Sequence, residues 1–217
     1  MTPKVVILSA PSGGGKTTIT KALLGRRSDV GYSVSATTRP PRAGERDGEA
    51  YHFIGRQEFE AKVATGEFLE WATYAGQLYG TVRREVEAVL TSGRHVLLDI
   101  EINGARQVRA AYPPPASLSV FVVPPSVDEL LKRLRRRGSG NDADLQQRMN
   151  RVVEEVREAW TFDYLVVNDT LEHAVGEVSA ILDGTRAKRG LSAEEQSLLR
   201  VLEAAPHALA EKLGRNA

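Results

Sequence analysis

The feature that most constrains this chain is a glycine-rich turn between an apolar run and a helix-like segment. The turn reads Ala10-Pro11-Ser12-Gly13-Gly14-Gly15-Lys16-Thr17, and the apolar residues 5–8 precede it. A helix is expected over about residues 16–27. Glycines let the backbone wrap a phosphate chain with its N–H groups pointing inward, and the helix N-terminus adds partial positive charge. Strand, turn, Gly-Lys-Thr and helix in this order predict a phosphate-binding loop.

Two side chains of this loop have expected roles. Lys16 is expected to reach the β- and γ-phosphates of a nucleotide, and the Thr17 hydroxyl is expected to bind Mg²⁺. Ala10 stands where the pattern has its first glycine, and we expect little effect because alanine is small. The alternative is a strand-to-helix turn that binds no ligand.

Composition narrows the function classes. The 217 residues suit one α/β domain with small insertions. A net charge of +1 argues against a broad positive electrostatic field that would attract nucleic acid or an anionic membrane. The absence of cysteine excludes disulfides and thiolate zinc sites and fits a reducing compartment. We find no signal peptide and no apolar run long enough to span a membrane, and therefore expect a cytoplasmic protein.

A stiff arginine loop follows the first helix. In Arg39-Pro40-Pro41-Arg42 two arginines flank two prolines, which fix φ and disfavour helix before them. Because arginine binds phosphate through two parallel hydrogen bonds, this loop is a candidate clamp for a second phosphate. The alternative is a solvated basic loop.

The segment around this loop, residues 34–81, is strand-rich and reads as an insertion. Strands are expected over residues 50–54 and 68–74, and a short helix over 57–65. Glu70 is a lone carboxylate between Leu69 and Trp71, and one use for it is to accept hydrogen bonds from a ligand. Tyr79-Gly80-Thr81 is expected in a turn and offers two hydroxyls.

A buried-type strand at residues 95–101 ends in two acids. Asp99 and Glu101 share a face by period two. An apolar strand that ends in aspartate beside a phosphate-binding loop is where a magnesium-associated carboxylate is expected. Alternatively, the acid only caps the next helix.

Arginines are concentrated on two later helices joined by a polar segment, residues 139–144. The pattern is typical of a lid that closes over phosphates, and the alternative is a solvated helical hairpin. The first helix is expected to start after a Ser126–Glu129 capping box and to end at residue 137. The two helices carry Lys132, Arg133, Arg135, Arg136, Arg137, Arg148 and Arg151.

The order of elements indicates an α/β fold. Four apolar strands, near residues 5, 96, 119 and 164, alternate with helices, which predicts a parallel sheet with helices on both faces. After a basic linker at 184–190, a second capping box, Ser192–Glu195, opens one or two short helices that Pro206 is expected to interrupt. This tail could pack on the body, form a dimer contact or stay mobile.

Four motifs together resemble guanylate kinase. They are the Ala-Pro-Ser-Gly-x-Gly-Lys-Thr loop; Ser33-Val34-Ser35-Ala36-Thr37-Thr38-Arg39-x-Pro-Arg42-x-Gly44-Glu45 with Tyr51 and Phe53; Phe68-Leu69-Glu70-Trp71-Ala72-x-Tyr74-x-Gly76-x-x-Tyr79-Gly80-Thr81; and Leu98-Asp99-Ile100-Glu101. The resemblance covers about residues 4–182. The chain departs from the family pattern at Ala10, Glu101 and Asn103.

The resemblance implies an α/β fold: a P-loop NTPase core with a parallel sheet flanked by helices, a small strand-rich GMP-binding insertion and a helical lid. The core would comprise residues 1–33, 82–125 and 158–183. The insertion would be residues 34–81 and the lid residues 126–157. Residues 184–217 would form a helical extension of unknown role.

The resemblance also implies residue roles. Guanine recognition falls to Ser35, Glu70 and Thr81, and the GMP phosphate is held by Arg39, Arg42, Tyr51 and Tyr79, with Glu45 as support. Asp99 and Glu101 are placed beside GMP and the magnesium shell, Asp99 through a water molecule. ATP binding is assigned to Ala10, Pro11, Ser12, Gly13, Gly14, Gly15, Lys16, Thr17, Thr18, Arg133, Arg137 and Asn168. Catalysis is assigned to Lys16, Arg39, Arg137 and Arg148.

The implied activity is transfer of the γ-phosphoryl group of Mg-ATP to GMP, and we expect dGMP to serve as well. ATP and GMP are the expected partners of a monomer or homodimer, with no nucleic acid and no membrane. One rival is a non-catalytic guanylate-kinase-like scaffold, which the intact loop argues against. Another is a kinase for a different phosphorylated acceptor, such as a ribose bisphosphate, and a screen of acceptors would discriminate. Nucleic-acid binding is a distant third.

Overall fold

A computed structural model describes residues 2–136, 142–186 and 191–214, without the side chains of 142–144 and 207–214. Arg137, assigned above to catalysis and ATP binding, lies outside the described residues. The chain divides into two compact units. The first comprises Met1–Ile7 and Leu24–Ser119, and the second comprises Leu8–Leu23 and Val120–Ala217. No helix in the described part of the chain is long and apolar enough to cross a membrane.

Five strands form the larger sheet, in the order β2-β7-β1-β8-β9. The apolar runs predict four of them, and the fifth, β2, has three residues and is not among the predicted strands. The pairs β2–β7 and β8–β9 are parallel. The strands are β1 (Val5–Ser9), β2 (Val30–Tyr32), β7 (His95–Asp99), β8 (Ser117–Val123) and β9 (Tyr164–Val167).

Eight helices are seen in the described residues. Ser126 caps α5 through a hydrogen bond from the Glu129 backbone N–H at 3.2 Å, but the Glu129 carboxylate bonds Arg133 instead of completing the predicted capping box. The helices are α1 (Lys16–Arg26), α2 (Arg56–Ala64), α3 (Arg83–Thr91), α4 (Ile102–Ala111), α5 (Val127–Arg136), α6 (Asp142–Arg157), α7 (Leu171–Leu182) and α8 (Ala193–Gly214).

A four-stranded sheet in the first unit has the order β4-β3-β6-β5. Its core contains Phe59 of α2 stacked on Phe68 at 4.4 Å between ring centroids, with Ala36 and Leu78 beside them. Burial of two phenyl rings gives this small sheet an apolar core of its own. The strands are β3 (Ser35–Thr37), β4 (His52–Phe53), β5 (Phe68–Tyr74) and β6 (Gln77–Val82).

The prediction that Tyr79-Gly80-Thr81 forms a turn is wrong, because these residues lie inside β6. The turn precedes β6, at Ala75 and Gly76, which have φ of 49° and 79°. Two consecutive positive φ values are what a tight hairpin between twisted antiparallel strands requires. Gly80 is in a strand for a packing reason, since a Cβ there would lie 2.9 Å from the Phe68 ring.

The helix α8 packs on α6, both in the second unit. Leu199, Leu202 and Ala205 are buried, and the capping box forms in both directions: the Ser192 N–H donates to Glu195 at 2.7 Å and the Glu195 N–H to Ser192 at 3.1 Å. The expectation that Pro206 interrupts the helix is wrong, since α8 continues through it. Proline removes one helical hydrogen bond, and burial of the apolar stripe offsets that loss.

Candidate active site

The glycine-rich loop predicted from the sequence follows β1 in the second unit. Gly13 and Gly15 have φ of 86° and 97°, a conformation that residues with a Cβ rarely adopt. Gly14 is required for space, since a Cβ there would lie 2.8 Å from the Ala10 Cβ and 3.0 Å from the Pro11 carbonyl oxygen. Glycine is therefore required at residues 13 and 15 by their backbone conformation and at residue 14 by lack of space for a Cβ. Ala10 occupies the space that Gly14 leaves.

The side chain of Asn168 holds this loop from the end of β9. Its Nδ2 donates to the Gly14 carbonyl oxygen at 2.8 Å, and the residue is buried. A Cβ on Gly15 would overlap with the same Nδ2 atom. Asn168 was assigned to ATP binding, and its observed contacts are with the loop backbone, so it fixes the shape of the predicted phosphate site.

Arg133 of α5 supports the same part of the loop. Its guanidinium donates to the carbonyl oxygens of Gly14 at 3.4 Å and Asn168 at 3.0 Å. The Glu129 carboxylate accepts from Arg133 Nε at 2.8 Å. This hydrogen bond holds the pKa of Glu129 below its ordinary value. Arg133 is thus a cation already oriented beside the loop.

A carboxylate that the sequence reasoning missed also contacts the loop. The Ser12 backbone N–H donates to Glu155 of α6 at 2.9 Å. The capping and lid patterns do not predict this contact, because the two residues are 143 positions apart. Its signal in the sequence is only an acid on the helix that carries Arg148.

Lys16, Thr17 and Thr18 open α1 directly after the glycines. Lys16 is half-buried, and both threonines are exposed. Arg148 is half-buried on α6. The lysine and the two hydroxyls are thus placed at a helix N-terminus, where negative charge is favoured.

In the first unit, three predicted residues form a row across neighbouring strands. Ser35 of β3 lies opposite Thr81 of β6, and Thr81 lies opposite Glu70 of β5. The Thr81 hydroxyl donates to Glu70 Oε1 at 2.5 Å, with both residues buried. We call Ser35, Thr81 and Glu70 the Glu70 row. It offers a buried carboxylate and two hydroxyls, a set suited to the N–H groups of a polar ring.

A β-bulge explains how Glu70 becomes buried. The pairing of β5 with β6 shifts between Phe68 and Glu70, so alternation of the two faces is broken there. As a result Phe68, Leu69 and Glu70 are all buried, whereas Trp71 is 41% exposed. Strict alternation would place Leu69 and Trp71 together on one face, as the sequence alone suggests.

Arg39 of the predicted phosphate clamp lies in what we call the arginine cluster: Arg39, Glu45, Tyr51, Phe53 and Tyr79. Arg42, the second arginine of the clamp, is on the same loop. Arg39 Nη2 pairs with Glu45 Oε1 at 2.9 Å, and its guanidinium lies 5.4 Å from the Tyr51 ring centroid and 5.6 Å from that of Phe53. Tyr51 meets Tyr79 edge-on at 5.8 Å. The ion pair and the ring faces hold Arg39 in place.

Electrostatics in the arginine cluster follow from the same contacts. The hydrogen bond to Glu45 raises the pKa of Arg39, and burial opposes this rise. The hydrogen bond from Arg39, together with the Arg42 backbone N–H at 2.7 Å, lowers the pKa of Glu45. Arg42 itself is exposed. Glu45 therefore orders the loop that carries both arginines.

The prediction of a strand over residues 95–101 is wrong at its end, because β7 stops at Asp99, and the two acids occupy different positions. Asp99 is the last residue of β7, and Glu101 is at the N-cap of α4; both are half-buried. The Glu101 side chain makes no capping hydrogen bond to α4, so capping does not explain its presence. Carboxylate oxygens at Asp99 and the exposed hydroxyl of Thr17 are hard donors of the kind that Mg²⁺ binds.

Two further residues, both on α4, touch the Glu70 region and were not predicted. A Cβ on Gly104 would overlap with Glu70 Oε2 and would lie 2.8 Å from Glu70 Cδ. The side chain of Gln107 bonds the backbone of Trp71, with Nε2 to O at 2.7 Å and N to Oε1 at 3.3 Å. For Gly104 the sequence signal is a glycine within a helix, where alanine would stabilise the helix by about 1 kcal/mol more. Gln107 has no such signal.

Comparisons with known proteins agree on one family. The family model described as guanylate kinase matches residues 2–185, so that α8 lies beyond the match. A guanylate kinase of Trichormus variabilis is 47% identical over 181 residues, 83% of this chain and 90% of that protein. One of Symbiobacterium thermophilum is 45% identical over 184 residues, 85% and 86% of the two chains. A crystal structure of guanylate kinase from Anaplasma phagocytophilum has a TM-score of 0.70 and 29% identity, covering 94% and 95% of the two chains.

Proposed function

The chain belongs to the guanylate kinase family and is an ATP:GMP phosphotransferase, and from this premise we propose how its own residues carry the reaction. A bond forms between the γ-phosphorus of ATP and a phosphate oxygen of GMP, and the bond to the bridging β–γ oxygen breaks, which gives GDP and ADP. The attacking oxygen is already anionic, so no strong general base is needed. Positioning and charge neutralisation supply the catalysis.

The Glu70 row is the proposed guanine site. Glu70 accepts from guanine N1–H and the 2-amino group, Thr81 holds the carboxylate, and Ser35 adds a third polar contact. The hydrogen bond from Thr81 to Glu70 at 2.5 Å, between two buried side chains in a row across three strands, is the observation that carries this proposal. Adenine lacks both donors, and a buried acceptor left unpaired rejects such a base by about 10⁴-fold.

The arginine cluster is the proposed site for the GMP phosphate. Arg39 and, from the same loop, Arg42 neutralise its charge. The hydroxyls of Tyr51 and Tyr79 donate hydrogen bonds to it. Glu45 keeps Arg39 oriented through their 2.9 Å ion pair. Because Arg39 is fixed before substrate arrives, little ordering cost remains for binding. We include dGMP as an acceptor, since none of the proposed contacts requires the ribose 2′-hydroxyl.

The glycine-rich loop is the proposed site for the ATP phosphates. The loop of residues 10–15 surrounds them with its backbone N–H groups, apart from Pro11, which has none. Lys16 and Arg133 neutralise the transferring group, and Thr18 and Asn168 complete the site. Arg148 and Arg137 are proposed to act from residues 126–157, as a lid. Residues 34–81 would be the GMP-binding insertion and residues 1–33, 82–125 and 158–183 the core.

Mg²⁺ is the proposed cofactor, with Thr17 as a ligand and Asp99 acting through a water molecule. The hard oxygen donors at both residues fit this ion. When bound, Mg²⁺ neutralises charge on the β- and γ-phosphates. Glu101 is proposed to lie beside the GMP phosphate. We further propose a cytoplasmic enzyme, monomeric or homodimeric, that binds neither nucleic acid nor membranes, in keeping with the net charge of +1.

An acceptor screen tests the proposal. ADP release is measured in a coupled assay with Mg-ATP and, in parallel, GMP, dGMP, AMP, UMP and CMP. Turnover with GMP and dGMP alone is expected. Equal use of AMP would refute the role of the Glu70 row, and silence with all five acceptors would refute the assigned chemistry.

A further inference from the structure

The face of α4 that contacts the Glu70 row has no role in the proposal so far. Gly104 is buried in the first turn of α4, with the Glu70 carboxylate in the space where its side chain would be. An added Cβ would overlap with Oε2 and lie 2.8 Å from Cδ and 3.5 Å from Cγ. Since helical glycine costs about 1 kcal/mol against alanine, close approach of the carboxylate is the physical reason for this residue.

The first turn of α4 also favours an anion at this point. The Ala105 N–H is bonded to the Glu101 carbonyl at 2.9 Å, so the N–H groups of the three preceding residues have no partner four residues earlier within the helix. The Glu70 carboxylate is close to the first turn of α4, where negative charge is therefore favoured. Absence of a Cβ at position 104 lets the charge approach this end closely.

Gln107 lies one turn further along the same face of α4. Its amide accepts from the Trp71 N–H at 3.3 Å and donates to the Trp71 carbonyl at 2.7 Å. β5 is an edge strand of its sheet, and the amide bonds both backbone polar groups of Trp71, as a neighbouring strand would. Gln107 thereby fixes the backbone one residue after Glu70.

This support matters because Glu70 is the first residue of β5 that pairs with β6 after the register shift. The register shift between Phe68 and Glu70 frees the direction of the side chain from simple alternation. The carboxylate is instead held by the Thr81 hydroxyl, by the surface at Gly104 and, through Trp71, by Gln107.

We propose that Gly104 and Gln107 of α4 are positioning residues that set the base selectivity of the enzyme by fixing the Glu70 carboxylate. The inference rests on the proposed function of the Glu70 row. Two donors of guanine must meet two carboxylate oxygens in one plane, and misplacement by about 1 Å removes much of that advantage. Inosine monophosphate (IMP), which keeps N1–H but lacks the 2-amino group, reports this alignment directly.

The test compares Gly104→Ala with Gly176→Ala. Both glycines are in helices, but nothing lies within 4 Å of a Cβ added at Gly176 of α7. The measurements are kcat and KM for GMP, IMP and ATP, together with thermal unfolding of each protein. For Gly104→Ala we expect kcat/KM for GMP to fall about 10- to 100-fold, with a smaller loss for IMP, so that the GMP-to-IMP ratio shrinks. KM for ATP should stay within about twofold, and Gly176→Ala should match the parent in every kinetic constant.

A second variant keeps the proposal testable if Gly104→Ala does not fold. Gln107→Met retains the length of an exposed side chain and removes both hydrogen bonds to Trp71. It should raise KM for GMP about three- to tenfold and lower the GMP-to-IMP ratio.

The outcomes separate the two levels of the account. A parent enzyme that does not prefer GMP to AMP refutes the proposed role of the Glu70 row, and the inference falls with it. If the parent enzyme prefers GMP to AMP but folded Gly104→Ala keeps the parent's GMP-to-IMP ratio of kcat/KM, only the positioning role is overturned. If only Gln107→Met folds, an unchanged ratio in that variant overturns it equally.

Discussion

The glycine-rich loop and the Glu70 row hold polar groups in place by different means. In the loop, the groups available to a ligand are backbone N–H groups. Three consecutive residues, Gly13, Gly14 and Gly15, set the backbone conformation that orients them. In the Glu70 row, the groups are side chains on three strands, aligned by register and by a bulge. Both regions use a glycine to admit a polar side chain: Gly15 for Asn168 and Gly104 for Glu70.

The difference shows which parts of a site a sequence can reveal. A backbone cradle needs consecutive residues of fixed type, so it leaves a continuous motif. A side-chain cluster needs only that distant residues meet, so its members are scattered, and a supporting residue such as Gly104 has no motif of its own in the residue pattern. The two regions should accordingly differ in what their variants lose.

The largest effect is expected in the loop, from Lys16→Met. This change keeps the length of the side chain and removes the charge that we propose acts on the transferring phosphoryl group, so kcat should fall by about 10²- to 10³-fold or more. Lys21→Met is the matched control, since Lys21 is an exposed lysine on the same helix α1. Steady-state ADP release measures both. Near-normal turnover in Lys16→Met would refute the mechanism.

The next largest effect is expected in the Glu70 row, from Glu70→Gln. Replacing the charged acceptor should reduce kcat/KM for GMP by about 10- to 100-fold, since a hydrogen bond to a charged group contributes about 1.5–3 kcal/mol. KM for ATP should be unaffected. Glu60→Gln, at an exposed ion pair on α2, is the control. A loss shared equally by GMP and ATP would assign Glu70 to folding instead.

A smaller effect is expected from Asn168→Ala, again in the loop. The variant removes the 2.8 Å hydrogen bond to the Gly14 carbonyl and leaves that carbonyl with fewer partners. KM for ATP should rise about five- to tenfold, which corresponds to one hydrogen bond of about 1 kcal/mol. Titration of ATP at saturating GMP measures this. A change confined to KM for GMP would contradict the assignment of Asn168 to the loop.

The smallest effect is expected from Glu45→Gln in the arginine cluster. Loss of this partly exposed ion pair with Arg39 should raise KM for GMP by no more than about fivefold. Glu49→Gln is the control, because its ion pair with Arg46 is nearby in the chain and the side chains of Arg46 and Glu49 are 78% and 68% exposed. An equal effect in both variants would remove the special role of Glu45.

The same variant carries a pH signature. The pKa of Glu45 is lowered from its ordinary 4.5, mainly by the hydrogen bond from Arg39. A carboxyl with a depressed folded-state pKa stabilises the fold above its unfolded pKa, and this contribution is lost as pH falls through the folded pKa. Thermal unfolding should therefore show a constant difference between parent and Glu45→Gln from pH 7 to 5, which narrows below about 4.5. A difference that grows as pH falls would have the wrong sign.

Much of the fold was predictable because its signals are local. Apolar runs and helix caps predict four of the five strands of the larger sheet and most helices: α1 is predicted at residues 16–27 and found at Lys16–Arg26, and β5 is found at the predicted residues. The Ser192–Glu195 capping box forms as predicted. Errors arise where distant packing decides, as at Pro206 inside α8 and at Tyr79–Thr81 inside β6.

The candidate site divides in the same way. Residue type and spacing alone pointed to the loop glycines, Lys16, the arginine pair, Glu70 and the Thr81 hydroxyl as candidates, and the resemblance added Ser35 and the guanine-binding role. The contacts of Glu155 with Ser12, and of Gln107 with Trp71, were not predictable, because they join residues 143 and 36 positions apart. The bulge before Glu70 was likewise hidden, since alternation in the sequence suggests a regular strand.

The central claim is that base choice resides in the Glu70 row and that the loop binds the phosphate chain of ATP. The most direct test is the GMP-to-IMP ratio of kcat/KM, measured side by side in the parent, Glu70→Gln and Asn168→Ala. The account predicts a ratio that falls toward one in Glu70→Gln and keeps the parent value in Asn168→Ala, whose defect should be confined to ATP. An unchanged ratio in Glu70→Gln, or an equal fall in both variants, would contradict it.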